Sequence, residues 1–89
     1  MKAVISVIGN DRVGILARVS TVCAECSANI LDVTQSVLQD KFVMVMLVDI
    51  SGLSVGFREL SDRMKALGEE IGMVIHVMHE DIFNSMHRI

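Results

Sequence analysis

Asn10-Asp11-Arg12-Val13-Gly14-Ile15-Leu16 separates two residue patterns of different period. Before it, Lys2 to Ile8 (KAVISVI) is rich in β-branched residues and ends at Gly9-Asn10, which predicts a first strand. After it, Ile15, Leu16, Val19, Val22, Cys23 and Cys26 fall on one face of an α-helix, with Arg18, Thr21 and Glu25 opposite. The stretch is therefore a short strand-to-helix turn. Gly14 has no Cβ and lets a ligand approach the main chain closely. The first N–H groups of the helix have no partner inside it and favour an anionic group such as a carboxylate. The same residues also suit a plain tight connection in which Asn10 or Asp11 caps the helix.

Working outward, Ser27-Ala28-Asn29 ends the helix, with Asn29 suited to a left-handed terminal residue. From Ile30 to Leu38 the pattern alternates: Leu31, Val33 and Val37 against Asp32, Thr34 and Ser36. That is a half-exposed strand at a sheet edge. Gln39-Asp40-Lys41 is a polar turn, and Phe42 to Ile50 (FVMVMLVDI) is apolar nearly throughout, as in a central strand paired in a hairpin. Ser54 is positioned to cap a second helix carrying Phe57, Leu60, Met64, Leu67 and Ile71, which Gly72 ends. Met73 to Met78 makes a fourth strand. In the tail, Ile82, Phe83, Met86 and Ile89 have the spacing of a short amphipathic helix.

The order βαββαβ, with right-handed crossovers, predicts an α+β ferredoxin-like sandwich. Its four-stranded antiparallel sheet has the order 4-1-3-2, with both helices on one face. Residues 1–79 form this domain, and 80–89 form a tail that packs on the domain or on a second copy. The fold hosts many unrelated functions and does not choose among them.

The chain has 89 residues, enough for one domain, and 52% of them are apolar. Mean hydropathy is +0.53. A net charge of −3, with three Phe and no Trp or Tyr, argues against nucleic acid and anionic membrane as partners. The N-terminal apolar run is too short for a signal peptide or a membrane span. A cytoplasmic location is expected, with Cys23 and Cys26 as reduced thiols. Both faces of the predicted sheet are apolar. Val4, Ile8, Val43, Val45, Leu47, Val74 and Met78 oppose Ile5, Val7, Met44, Met46, Val48, Ile75 and Val77, and only one of the two faces can meet the helices. Burying one such side chain is worth roughly 1.5–3 kcal/mol, so a cover is expected. A second copy of the chain, the tail or both would supply it, a homodimer is expected, and an exposed second-strand edge offers another way of joining two sheets.

Cys23-Ala24-Glu25-Cys26 has the spacing of metal carriers and thiol redox sites. Its cysteines fall late in the helix on the apolar stripe, where Cys packs as a small hydrophobe and the helix dipole disfavours the thiolate. His76 and His79 point to opposite faces of an extended strand, and His87 is isolated from both. No nucleophile–base pair, phosphate loop or zinc signature is present, so no catalytic residue, metal or cofactor is expected. Arg58, Glu59, Asp62, Arg63, Lys65, Glu69 and Glu70 read as a solvated helix face.

With Asp11-Arg12-Val13-Gly14-Ile15-Leu16 after an apolar strand, Ala28-Asn29-Ile30-Leu31-Asp32 opening the second strand, and the βαββαβ order, residues 1 to 79 resemble an ACT domain. With its tail the chain is similar to small bacterial stand-alone ACT proteins, and to the ACT portion of glycine-cleavage repressors. The family often has Pro where this chain has Val13, which leaves the turn less stiff. The resemblance implies a non-enzymatic regulatory module that binds an amino acid between paired domains and signals to a regulated protein. It also implies a site formed by Asn10, Asp11, Arg12, Val13, Gly14, Ile15 and Leu16 with Asn29 and Ile30. The ligand carboxylate would meet the N–H groups around Gly14, Ile15 and Leu16. Asn10, Asp11 or Asn29 would take the ammonium or a polar side chain. Two readings compete: acylphosphatase-like chemistry using Arg12, for which the longer glycine-bounded motif is missing, and a metal or thiol carrier using Cys23 and Cys26.

Overall fold

The computed structural model describes residues 1–10 and 12–86. Asp11, His87 and Ile89, on which some of the expectations above fall, lie outside the described residues. The elements run β1 (Lys2–Asn10), α1 (Ile15–Glu25), β2 (Asn29–Leu38), β3 (Lys41–Asp49), α2 (Phe57–Ile71), β4 (Met73–His79) and α3 (Glu80–Met86). The sheet has the order β2-β3-β1-β4 with antiparallel neighbours throughout, which is the expected ferredoxin-like topology. No helix among the described residues is long and apolar enough to cross a membrane.

Period two along the strands and period three to four along the helices meet in one core. Ala3, Ile5 and Val7 of β1 and Met44, Met46 and Val48 of β3 turn toward the helices and are fully buried. Val19, Cys23, Leu60 and Met64 meet them from α1 and α2. Gly68 sets how closely α2 approaches β4. A Cβ there would lie 2.5 Å from the Met73 carbonyl oxygen and 3.2 Å from Ile75 Cγ1. At the far end of α2, Phe57 stacks on His79 with ring centroids 4.2 Å apart, closing the core beside the last residue of β4.

The other sheet face carries the rows Val4–Leu47–Met78, Ser6–Val45–His76 and Ile8–Val43–Val74. α3 packs on β1 and β4, and Val4 is buried. At the opposite end Ile8 and Val74 remain 46% and 57% exposed. On β2 this face turns polar, with Asp32, Thr34 and Ser36 all exposed.

The helix ends differ from expectation. Gly14, not Asn10 or Asp11, is the N-cap of α1, and Gly56, not Ser54, is that of α2. Neither glycine offers a capping side chain. Asn10 is still in β1, where its Oδ1 accepts a hydrogen bond from Lys41 Nζ at 3.0 Å. Ser54 donates its backbone N–H to the Cys26 carbonyl at 2.9 Å, tying the loop to the end of α1. The left-handed residue after α1 is Ser27, with φ 61°, so Asn29 is free to begin β2. Gly72 ends α2 at φ 73°, as expected.

Adding a methyl group at Gly68 sets overpacking against helix propensity. Ala gains up to about 1 kcal/mol in a helix, whereas forcing atoms into a packed site typically costs about 1–3 kcal/mol. The obstacle is a backbone oxygen that cannot rotate away, so overpacking wins. Gly68→Ala should lower stability by about 1–2 kcal/mol in urea denaturation. Gly52→Ala, with nothing within 4 Å of the new Cβ, should move it by less than about 0.5 kcal/mol. Equal midpoints for the two variants would contradict the close α2–β4 contact.

Candidate functional site

The turn between β1 and α1 begins where Asn10 leaves the sheet and ends at Gly14, whose φ of 86° lies in the left-handed region. The first helical bond runs from the Arg18 N–H to the Gly14 carbonyl at 3.0 Å. The N–H groups of Ile15, Leu16 and Ala17 therefore precede the first bond of the helix. No side chain among the described residues caps them. They form the positive end of the helix dipole, the local chemistry that receives a carboxylate. A Cβ at Gly14 would meet nothing within 4 Å, so open space lies beside this main chain.

Arg12 Nη1 donates to the Ile71 carbonyl at 2.8 Å and so ties the turn to the last turn of α2. Its cation there also complements the negative end of that helix dipole. Val13 is fully solvent-exposed at 105% of its reference area, Ile15 is buried in the core, and Leu16 is half-buried. Arg18, one helical turn after Gly14, pairs with Glu70 across the two helices. Arg12, Val13, Gly14, Ile15, Arg18 and Ile71 line a recess of about 50 Å³. At ~30 Å³ per water this holds one or two water molecules, well below the ~300 Å³ of a small-ligand pocket.

Arg18 is missing from the set read from the sequence. Its signal was its position four residues after Gly14, on the helix face that looks back over the turn.

Asn29 and Ile30 do not join this group within one chain. Asn29 pairs with Asp49, which pairs with Lys2, so β2 begins at the opposite end of the sheet from Asn10. Eight strand residues separate the two ends, roughly 26 Å at ~3.3 Å per residue. The structure brings Asn10, Arg12, Val13, Gly14, Ile15 and Leu16 together and leaves Asn29 and Ile30 apart.

Cys23 and Cys26 are buried against the core as free thiols. Burial, with the neighbouring Cys26 adding to it, pushes the Cys23 thiol up to about 11. Arg63 Nη1 lies 3.7 Å from Cys26 Sγ and covers it from the outer side. A buried thiol held protonated is a poor metal ligand and a poor nucleophile.

The family model described as "ACT domain" matches residues 2–78 of this chain. The UPF0237 protein of Methanocaldococcus jannaschii is 51% identical over 88 residues, which are 99% of this chain and 98% of that protein. The UPF0237 protein of Clostridium acetobutylicum is 45% identical over the full length of both. Among solved structures, an ACT domain protein from Streptococcus pneumoniae superposes with a TM-score of 0.81 at 37% identity, covering 93% of each chain. The regulatory subunit of aspartate kinase from Thermus thermophilus gives a TM-score of 0.67 at 25% identity, over 85% of this chain and 49% of that one.

Cys23 links stability to pH with a definite sign. In the folded chain it keeps its proton until about pH 11, whereas its ordinary value is 9.0. Between those values the unfolded chain has released a proton that the folded chain still holds, so stability falls as pH rises. Urea unfolding from pH 8 upward should show this decline, and Cys23→Ala should make it shallower. A thiol reagent at neutral pH should label the native protein far more slowly than the unfolded chain.

Proposed function

The chain belongs to the ACT domain family, and from that premise we propose that it is a non-enzymatic regulatory module. It binds an amino acid at the β1–α1 turn, at the interface of a homodimer. The observation that carries the reading is the turn itself, where main-chain donors at the start of α1 open beside Gly14 and the recess around them is too small to enclose a ligand. The α-carboxylate of an amino acid meets the N–H groups around Gly14, Ile15 and Leu16, with Arg12 and Arg18 beside it. Asn10 or Asp11 receives the ammonium or a polar side chain.

The missing wall comes from a second copy. If two β2 edges pair about a two-fold axis, they run antiparallel, and the start of one β2 lies beside the end of the other. Leu38, at the end of β2, pairs with Lys41, which pairs with Asn10. Asn29 of the partner subunit thus comes to the turn end of the joined sheet, which answers the separation seen within one chain. Ligand that binds only this arrangement stabilises the dimer, and the dimer geometry carries the signal to a regulated protein in the cytoplasm. The site involves neither nucleic acid nor membrane.

A thermal-shift screen of the twenty amino acids tests the reading. A true effector at 100 times its Kd should add about 2.7 kcal/mol to stability. Gly14→Val places a β-branched residue at positive φ, which should lower the basal stability by about 1–2 kcal/mol and abolish the ligand shift. A variant that responds as the wild type does would remove the ligand from the turn. Acyl-phosphate hydrolysis by the purified protein, lost in Arg12→Ala, would replace a regulatory module with an enzyme.

A further inference from the structure

The second edge of the sheet, β4, differs from β2 in sequence and in regularity. An edge strand without charges, proline or a bulge is open to pairing along its whole length. β2 has a register shift between Ile30 and Asp32 and exposes Asn29, Asp32, Thr34, Gln35 and Ser36. β4 (MVIHVMH) contains no Lys, Asp, Glu or Pro, and its pairing with β1 runs without a break. Its outer edge lies along a groove of about 330 Å³ between Met73–Val77 and the flank of α2 that carries Ser61, Lys65 and Glu69. The walls match in length: eight helical residues rise ~12 Å, and four strand residues ~13 Å.

The charges of α2 single out the same flank. Arg58 pairs with Asp62, Arg63 with Glu59, and Glu70 with Arg18. Lys65 and Glu69 are the charged residues of α2 without an ion pair among the described residues. Opposite charges one helical turn apart are self-complementary under two-fold symmetry. α2 and β4 run antiparallel, and Gly68 sits on Met73 and Ile75. A two-fold axis through Ile75 therefore passes near the midpoint of Lys65 and Glu69.

We propose that the β4 edge and its groove bind a second copy of this chain. Two β4 strands pair antiparallel about Ile75, and Lys65 of each copy faces Glu69 of the other. The match occurs twice because the contact is isologous. Met73, Ile75 and Val77 continue the helix-side layer across the seam. The exposed Val74 of each copy comes beside His76 of the other and extends the apolar open face. The contact is independent of the ligand reading of the β1–α1 turn: alone it pairs two copies, and with β2 paired as well it extends the sheet end to end.

Sedimentation equilibrium without amino acids tests it on wild type, Lys65→Glu, Glu69→Lys and the double exchange. Each single substitution sets like charges against each other twice and should lower the mass found for wild type to half or less. The double exchange restores opposite charges and should restore that mass. In hydrogen exchange, the outward amides of Met73–Val77 should exchange faster in the single variants than in wild type. Single variants with the wild-type mass, or a double exchange that stays at the mass of the singles, would overturn the proposal. A failure of the ligand reading leaves these masses unchanged, so the two readings fall separately.

Discussion

β1 is hydrogen-bonded along both sides, to β3 and to β4, and its helix-facing residues are fully buried. That fixes where the chain leaves the sheet. From Asn10 it has four residues, 11–14, in which to reverse onto the helix layer before Ile15 enters the core. Gly14 takes the left-handed backbone that closes this turn, a conformation costing other residues roughly 1–2 kcal/mol. The bare donors at the start of α1 follow from that geometry. Arg12 adds the second restraint: its hydrogen bond to the Ile71 carbonyl anchors the turn to α2 as well as to β1. The candidate site is thus held by the centre of the sheet and by both helices.

The same central strand leaves the open face half-finished. α3 meets β1 and β4, and Val4 is buried, while Ile8 and Val74 at the other end stay exposed. A chain with 52% apolar residues has more such surface than one helix layer can cover. The helix-side core is complete within one copy: Ile5, Met44, Met46, Leu60 and Met64 are fully buried. What remains unsatisfied is located at the sheet edges and at the uncovered end of the open face. Both are surfaces that the proposed association of two copies would cover.

The elements were readable because apolar period alone separates KAVISVI from the stripe of Ile15, Val19 and Cys23, and buried surface enforces that period in three dimensions. The caps were not readable in the same way. Asn10, Ser54 and Asn29 have the chemistry of helix-end residues, but each is used elsewhere: Asn10 by Lys41, the Ser54 N–H by Cys26, and Asn29 by β2. A propensity is local, whereas these partners are distant in sequence. Within the site, Gly14 announced the turn, but nothing near Arg12 pointed to a carbonyl 59 residues away. The separation of Asn29 from the turn was implicit in the strand order. β1 and β2 both pair antiparallel with β3, so they run in the same direction and start at the same end.

That separation bears on how so small a module would signal under the proposed reading. A recess of about 50 Å³ beside one chain's turn gives a ligand little to distinguish a folded monomer from an unfolded one. If a second copy supplies the remaining wall, nearly all of the binding free energy depends on association. Ligand and partner are then linked reciprocally, each raising the affinity for the other by the same factor. Stabilisation of the dimer by ligand grows as RT ln(1 + [L]/Kd), so the response is graded by effector concentration without a second domain to move. In the proposed dimer, a domain whose core closes within one copy and whose site closes only between two would fold first and sense afterwards.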